Sequence, residues 1–357
     1  MGRFIMRSIN SLSAISMILA ISILPLQGET LSESRYPVFQ KGICYASWTR
    51  DSYASKRSDE SLETISDVGA NAVQVVATWY QNDFNDHEIR RIKERSPSDK
   101  SIRHAIRKAH EYGMSVMLKP HIDLINQEDS FRADIGFGSE KDWHKWFSNY
   151  KKFIVHYARI AEREDVEFLC VGTELSYAST KVDYWREMII PSVRKVYSGY
   201  ITYAANWDNY QHVEFWDDVD FAGIDAYFPL SKKKDPTVDD LKEGWKTWVY
   251  EMEKWHERIG KPVVFTECGY CSADTAAKRP WEVAYSGRPN LRIQADCYRA
   301  LFETFCGKSW FRGLYLWKWS TYAGSGGRHH KRFTPQNKPA LVYVKIWYSR
   351  TGDAAGL

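Results

Sequence analysis

The sequence predicts a single (β/α)8 barrel, on three observations. Eight short apolar runs rich in β-branched residues recur along the chain, most of them separated by a helical pattern. The 357 residues contain 44% hydrophobic residues, enough for the core of one large domain. Between the first and last run there is no internal repeat, low-complexity tract or Pro/Gly/Ser-rich linker, so nothing divides the chain into domains. A doubly wound sheet is the alternative with the same alternation. It is disfavoured because no glycine-rich phosphate-binding turn follows any run.

Taken in order, residues 1–28 place Arg3 and Arg7 before "LSAISMILAISILPLQG", the basic and apolar regions of an export signal. The apolar part is short for a bilayer span of about 20 residues and is interrupted by Pro25. The protein is therefore expected to be secreted or periplasmic, with no stable membrane association once the signal is removed, although Leu26 makes an imperfect cleavage site. The barrel is expected over residues 36–348. Its strands are read at 41–47 (KGICYAS), 72–78 (AVQVVAT), 115–121 (SVMLKPH), 167–173 (EFLCVGT), 200–205 (YITYAA), 219–226 (VDFAGIDA), 261–266 (KPVVFT) and 312–317 (RGLYLW). Between the first three lie "SDESLETISDVG" and "SDKSIRHAIRKAHEYG", each opening on a Ser cap and ending on glycine. Residues 139–163 form an amphipathic, aromatic-rich helix, whereas the link 207–218 between the fifth and sixth runs is short. Residues 349–357 are small and polar and are expected to be a disordered tail.

Charge excludes one class of function. Without Arg3 and Arg7 the chain has 47 basic against 45 acidic residues, which is no footprint for nucleic acid. The run Lys232-Lys233-Lys234 beside Pro229 and Pro236 reads as a solvated loop. Six cysteines are too few for a disulfide scaffold in a chain of this size. Cys44, Cys170 and Cys268 sit in or beside apolar runs, as small hydrophobes do. Cys268-Gly-Tyr-Cys271 has redox spacing without the strand-to-helix context, and Cys297 and Cys306 share one helix, so pairing needs its end to fray. "HID" at 121–123 and the adjacent pair His329-His330 are not metal signatures, so neither a metal nor another cofactor is expected.

In a barrel of this kind chemistry gathers where the strands end. Glu174 follows the fourth run in "EFLCVGTEL" and Glu267 follows the seventh in "GKPVVFTECGY". A carboxylate at the end of an apolar strand is costly unless it is paired or used. Capping or ion pairing explains either one alone. Two together match the need of a glycosidic bond for one protonated carboxyl and one ionised one. Aromatic residues make up 15% of the chain, and flat ring faces suit the apolar face of a sugar.

With these residues the sequence resembles glycoside hydrolase family 113, a β-1,4-mannanase family of clan A, over residues 41–347. The resemblance is carried by "GICYASW", "VGTELS", "AANWD", "GIDAYFPL", "FTECGYCSADTAAKRPWE" and "RFTPQNKPA". It implies a retaining hydrolase of mannans or mannooligosaccharides, with Glu174 as acid/base, Glu267 as nucleophile and Tyr227 bonded to the nucleophile. Thr173 departs from the asparagine that commonly precedes the acid/base in the wider clan. Further substrate contacts are expected from Asn206 at the end of the fifth run and from His121, which shares a face with Lys119. Trp317 and Trp319, two apart on the eighth run, offer one floor for a sugar, and Trp79 and Trp281 are expected to wall the cleft. Two other readings keep the fold: hydrolysis of another β-linked glycan, and a non-catalytic carbohydrate-binding barrel. The partner in every case is a polysaccharide or oligosaccharide, and the chain is expected to act as a monomer.

Overall fold

A computed structural model describes residues 38–127 and 130–350. The expected signal at 1–28 and the tail from 351 lie outside the described residues. The strands are β1 (Gln40–Ala46), β2 (Ala72–Gln81), β3 (Ser115–Leu124), β4 (Phe168–Thr173), β5 (Tyr200–Asn206), β6 (Phe221–Asp225), β7 (Val263–Cys268) and β8 (Phe311–Ser320). They form a closed parallel barrel in which each strand pairs with the next and β8 returns to β1. The eight runs in the sequence are these eight strands, and the fold is a (β/α)8 barrel.

Helices α1 (Lys56–Asp67), α2 (Asp99–Glu111) and α3 (Glu140–Arg163) follow β1, β2 and β3. Each starts at a serine whose hydroxyl accepts from a backbone N–H in the first turn, at Ser55, Ser98 and Ser139. The first helix therefore begins a turn before the Ser58 expected to cap it. After β4 come the one-turn α4 (Ser176–Ser179) and α5 (Ile190–Arg194), and α6 (Val238–Ile259), α7 (Leu291–Phe305) and α8 (Ala340–Tyr348) complete the ring. The link from β5 to β6 holds only two short 3-10 turns. The longest connections, 269–290 after β7 and 321–339 after β8, lie at the C-terminal end of the barrel.

Strand alternation separates two cores. Cys44, Ala72, Met117, Phe168, Phe221, Val264 and Tyr315 fill the inside of the barrel. Their neighbours, among them Ile43, Val73, Leu118, Leu169 and Phe265, face the helices in a larger aromatic-rich layer. All six cysteines are free and buried. Among the described residues no helix is long and apolar enough to cross a membrane.

The alternation is reset where the strands leave the barrel. Pairing of β4 with β5 slips between Cys170 and Thr173, that of β6 with β7 between Ile224 and Asp225, and that of β8 with β1 between Ile43 and Tyr45. In each case one strand gains a residue, and such a bulge re-aims the side chains beyond it. Glu174, Glu267 and Trp317 stand at these three places.

Candidate active site

A cavity of about 490 Å³ opens at the C-terminal end of the barrel. Glu174 and Glu267 both line it, with His121, Asn206, Tyr227, Trp281 and Trp317 from the sequence reading. Arg132, Trp48 and Trp207 line it as well.

Glu267 belongs to a buried charge cluster. Lys119 Nζ, without solvent exposure, donates to Glu267 Oε1 at 2.7 Å and to both oxygens of Asp225 at 2.8 and 3.1 Å. Thr266 Oγ1 donates to Asp225 at 2.8 Å, and Tyr227 donates its hydroxyl to Glu267 Oε2 at 2.8 Å. One ammonium thus serves two carboxylates. Burial pushes the Lys119 pKa down, but the charges of Asp225 and Glu267 outweigh it and the net shift is upward. Burial and then the Glu267 charge push Asp225 up, against Lys119. The direct contacts settle the pair as ammonium and carboxylate, because all three bonds to Asp225 come from donors.

Glu174 has a different setting. Its backbone sits at φ +52, a left-handed conformation unusual for glutamate, and its N–H donates to Ala204 O at 2.8 Å. Arg132 donates from Nη1 to Glu174 Oε2 at 2.7 Å and from Nε to Ile122 O at 2.9 Å, and its other nitrogen pairs with Asp123. The Glu174 pKa is raised, first by burial and then by the charge of Asp225, with Glu267 adding to it, while Arg132 and Lys119 oppose the rise. The two glutamates are thereby different: Glu174 holds a proton readily, whereas both oxygens of Glu267 are occupied as acceptors.

His121 Nε2 lies 3.7 Å from Glu267 Oε1, yet burial and then the charges of Arg132 and Lys119 hold its pKa well down, so this contact is with a neutral ring. The ring lies nearly parallel to Trp317, centroids 6.4 Å apart. Trp48 meets Trp317 edge-on at 6.1 Å. On the β5 side, Trp281 stacks on Trp207 at 5.5 Å with planes 11° apart. Asn206 donates to Ser176 Oγ at 3.2 Å and keeps its carbonyl for another partner.

Two expected contacts lie elsewhere. Trp79 has the strand parity of Val73, Val75 and Ala77, so it faces the helix layer; it packs on Phe153 at 5.3 Å, under the Arg91 guanidinium at 4.9 Å. Trp319 is buried and donates to Ser61 Oγ at 3.1 Å. The pair Trp317 and Trp319 does not share a face, because the bulge in β8 between Leu316 and Trp319 shifts their alternation.

Sequence reasoning passed over Asp225 and Arg132. Asp225 carries the same signal as the two glutamates, a carboxylate closing an apolar run. Arg132 sits in a loop with no pattern to mark it, and only folding brings it to Glu174. Among the described residues no group of three His, Cys, Asp or Glu side chains is placed to hold a metal.

The model of Glycoside Hydrolase Family 113 matches residues 44–338. Among solved structures, a family 113 β-1,4-mannanase in a complex superposes with a TM-score of 0.80 at 28% identity, covering 88% of this chain and 100% of that one. The β-mannanase AaManA from Alicyclobacillus acidocaldarius, in complex with ManMIm, gives 0.80 at 27% identity, covering 88% and 98%. A family 5 mannosidase from Rhizomucor miehei, at 12% identity and a TM-score of 0.61, covers 88% and 93% and shares the fold alone. No curated protein matches the chain. Since the family match runs from β1 to the threshold of α8, across every strand that opens on the cavity, the chain belongs to glycoside hydrolase family 113 and is a glycoside hydrolase.

Proposed function

We propose that the enzyme cleaves β-1,4-mannosidic bonds in mannans or mannooligosaccharides by double displacement, with Glu267 as nucleophile and Glu174 as acid/base. The observation that carries this reading is the contrast between two glutamates on one cavity, one inclined to hold a proton and one gripped by Lys119 and Tyr227. In the first step a Glu267 oxygen attacks the anomeric carbon while Glu174 gives its proton to the leaving oxygen. The resulting ester removes the Glu267 charge, one of the causes holding the Glu174 pKa up. Glu174 then gives up a proton more easily, and Arg132 favours its carboxylate as it takes a proton from the attacking water. Trp317 supplies a flat floor beside the nucleophile. The β-mannanases of the same family support mannose as the sugar, and the run at 1–28 supports action outside the cytoplasm.

The test uses an activated aryl β-mannobioside. Glu267→Ala should lose turnover of every substrate. Glu174→Ala should keep release of the aryl group, which needs no proton, and should form a β-mannosyl azide when azide is added. Full activity of Glu267→Ala would refute the assignment. Parallel reducing-sugar assays on mannan, glucan and xylan decide the sugar, and inactivity on mannan refutes that part alone.

A further inference from the structure

The two walls of the cavity stand differently toward the two glutamates. His121 and Trp317 lie on the side of Glu267, His121 at 3.7 Å from its Oε1 and Trp317 nearly parallel to the His121 ring. Asn206 and Trp207 lie on the side of Glu174, because β5 pairs with β4 and Asn206 donates to Ser176 Oγ, two residues beyond Glu174. Trp207 is held from behind, edge-on to Phe228 at 5.8 Å and to Trp248 at 5.7 Å. Its face carries Trp281.

Trp281 comes from the connection after β7 and is fixed there by local bonds. Glu282 N donates to Arg279 O at 3.0 Å, the Glu282 carboxylate pairs with Arg279 Nε at 2.8 Å, and Cys271 Sγ donates to Glu282 O at 3.3 Å. The Trp281 ring is nevertheless 44% exposed, and among the described residues Trp207 is its one ring partner, with no cation over it. Burial alternates along 281–285, so that Trp281, Val283 and Tyr285 form one outward row, and the first two line the cavity. A ring fixed in place and left open at the mouth of a cavity is a surface for the apolar face of a sugar.

During cleavage the proton donor must reach the oxygen of the departing unit, so that unit stands on the Glu174 side. Resting on the glycosidase reading, we infer that Trp207 and Trp281 are the platform for the departing part of the chain, with the first departing unit beside Asn206 and Trp207 and the second on the open face of Trp281. The platform sets the register in which a β-1,4-linked chain is cut. At least two units then extend beyond the scissile bond toward the reducing end.

The test follows where a hexaose is cut. Mannohexaose with an isotopically labelled oxygen at its reducing end, and cellohexaose and xylohexaose labelled alike, are digested briefly and the labelled fragments identified by mass spectrometry. The wild type should place most of the label in fragments of two or more units; label mainly in the monosaccharide would overturn the inference without any variant. Trp281→Ala should raise KM for the hexaose about tenfold, the size of one aromatic contact, and shorten the labelled fragment. Trp281→Phe keeps a flat ring and should recover most of both. Tyr285→Ala, at the end of the row outside the cavity wall, should leave the labelled fragments unchanged. β-Mannobiosyl fluoride has a leaving atom too small to touch the platform, so its kcat/KM should stay within about twofold in every variant. A hexaose KM and cut position unmoved by Trp281→Ala, an equal loss on the fluoride, or the same shift in Tyr285→Ala would overturn the inference. Cutting of the gluco or xylo chain alone refutes mannose, and the platform is then read on that chain and its fluoride; cutting of none refutes hydrolysis of β-1,4-linked chains and the platform with it.

Discussion

Lys119→Met should destabilise the barrel more than any other single change in the cavity. The side chain has no solvent exposure and bonds three oxygens of two buried carboxylates at 2.7, 2.8 and 3.1 Å. Methionine matches its length and apolar stem but leaves Asp225 and Glu267 facing each other without a cation. Removing one partner of a buried pair costs about 3–5 kcal/mol. With an unfolding entropy of roughly 2.1 cal/mol/K per residue across a barrel of this size, the melting temperature should fall by about 5–8 °C. Thermal unfolding and urea titration at neutral pH measure this. Replacing Asp225 by Ala in the same chain should return at least about 1 kcal/mol, because one of the two uncompensated charges is gone. A loss under about 1 kcal/mol, or strictly additive effects of the two substitutions, would refute the view of Lys119 as the counter-charge of both carboxylates.

Tyr227→Phe deletes the donor to Glu267 Oε2; a bond to a charged group is worth about 1.5–3 kcal/mol, so kcat/KM should drop about 10- to 150-fold with the fold unchanged by circular dichroism. Arg132→Met takes away the cation that opposes the upward shift of Glu174. Because the first step uses protonated Glu174, kcat/KM declines as pH rises through its pKa, and this alkaline limb should move to higher pH in the variant; a limb that stays or moves down contradicts the coupling. Trp319→Phe should cost about 1 kcal/mol of stability for the lost bond to Ser61 Oγ and leave KM unchanged, whereas Trp317→Ala should raise KM. Equal kinetic damage from both would mean that the bulge in β8 does not separate their faces.

The strands were legible because a closed parallel sheet buries both faces of every strand, and each therefore appears as an apolar run bounded by polar turns. Glu174 and Glu267 were legible by contrast with those runs, and Asp225 carries the same contrast at the end of "FAGID". What local sequence does not show is where the alternation is reset. Parity along β2 assigns Trp79 to the helix layer, with Val73 and Val75, but on β8 parity misleads, since one inserted residue turns Trp319 outward while Trp317 stays in the cleft. Arg132 is distant in sequence from Glu174 and is delivered by the loop after β3, a contact that depends on the closed barrel.

The central claim, that Glu267 attacks the sugar and Glu174 serves as acid and then as base, is tested most directly by the anomer that is formed first. Proton NMR of wild-type enzyme acting on mannohexaose, recorded within the first minutes, resolves the new reducing end before mutarotation. Two inversions at the anomeric carbon should give the β-anomer, which then decays to the equilibrium mixture. Appearance of the α-anomer first would mean that water attacks directly and that Glu267 activates water instead of bonding to the sugar.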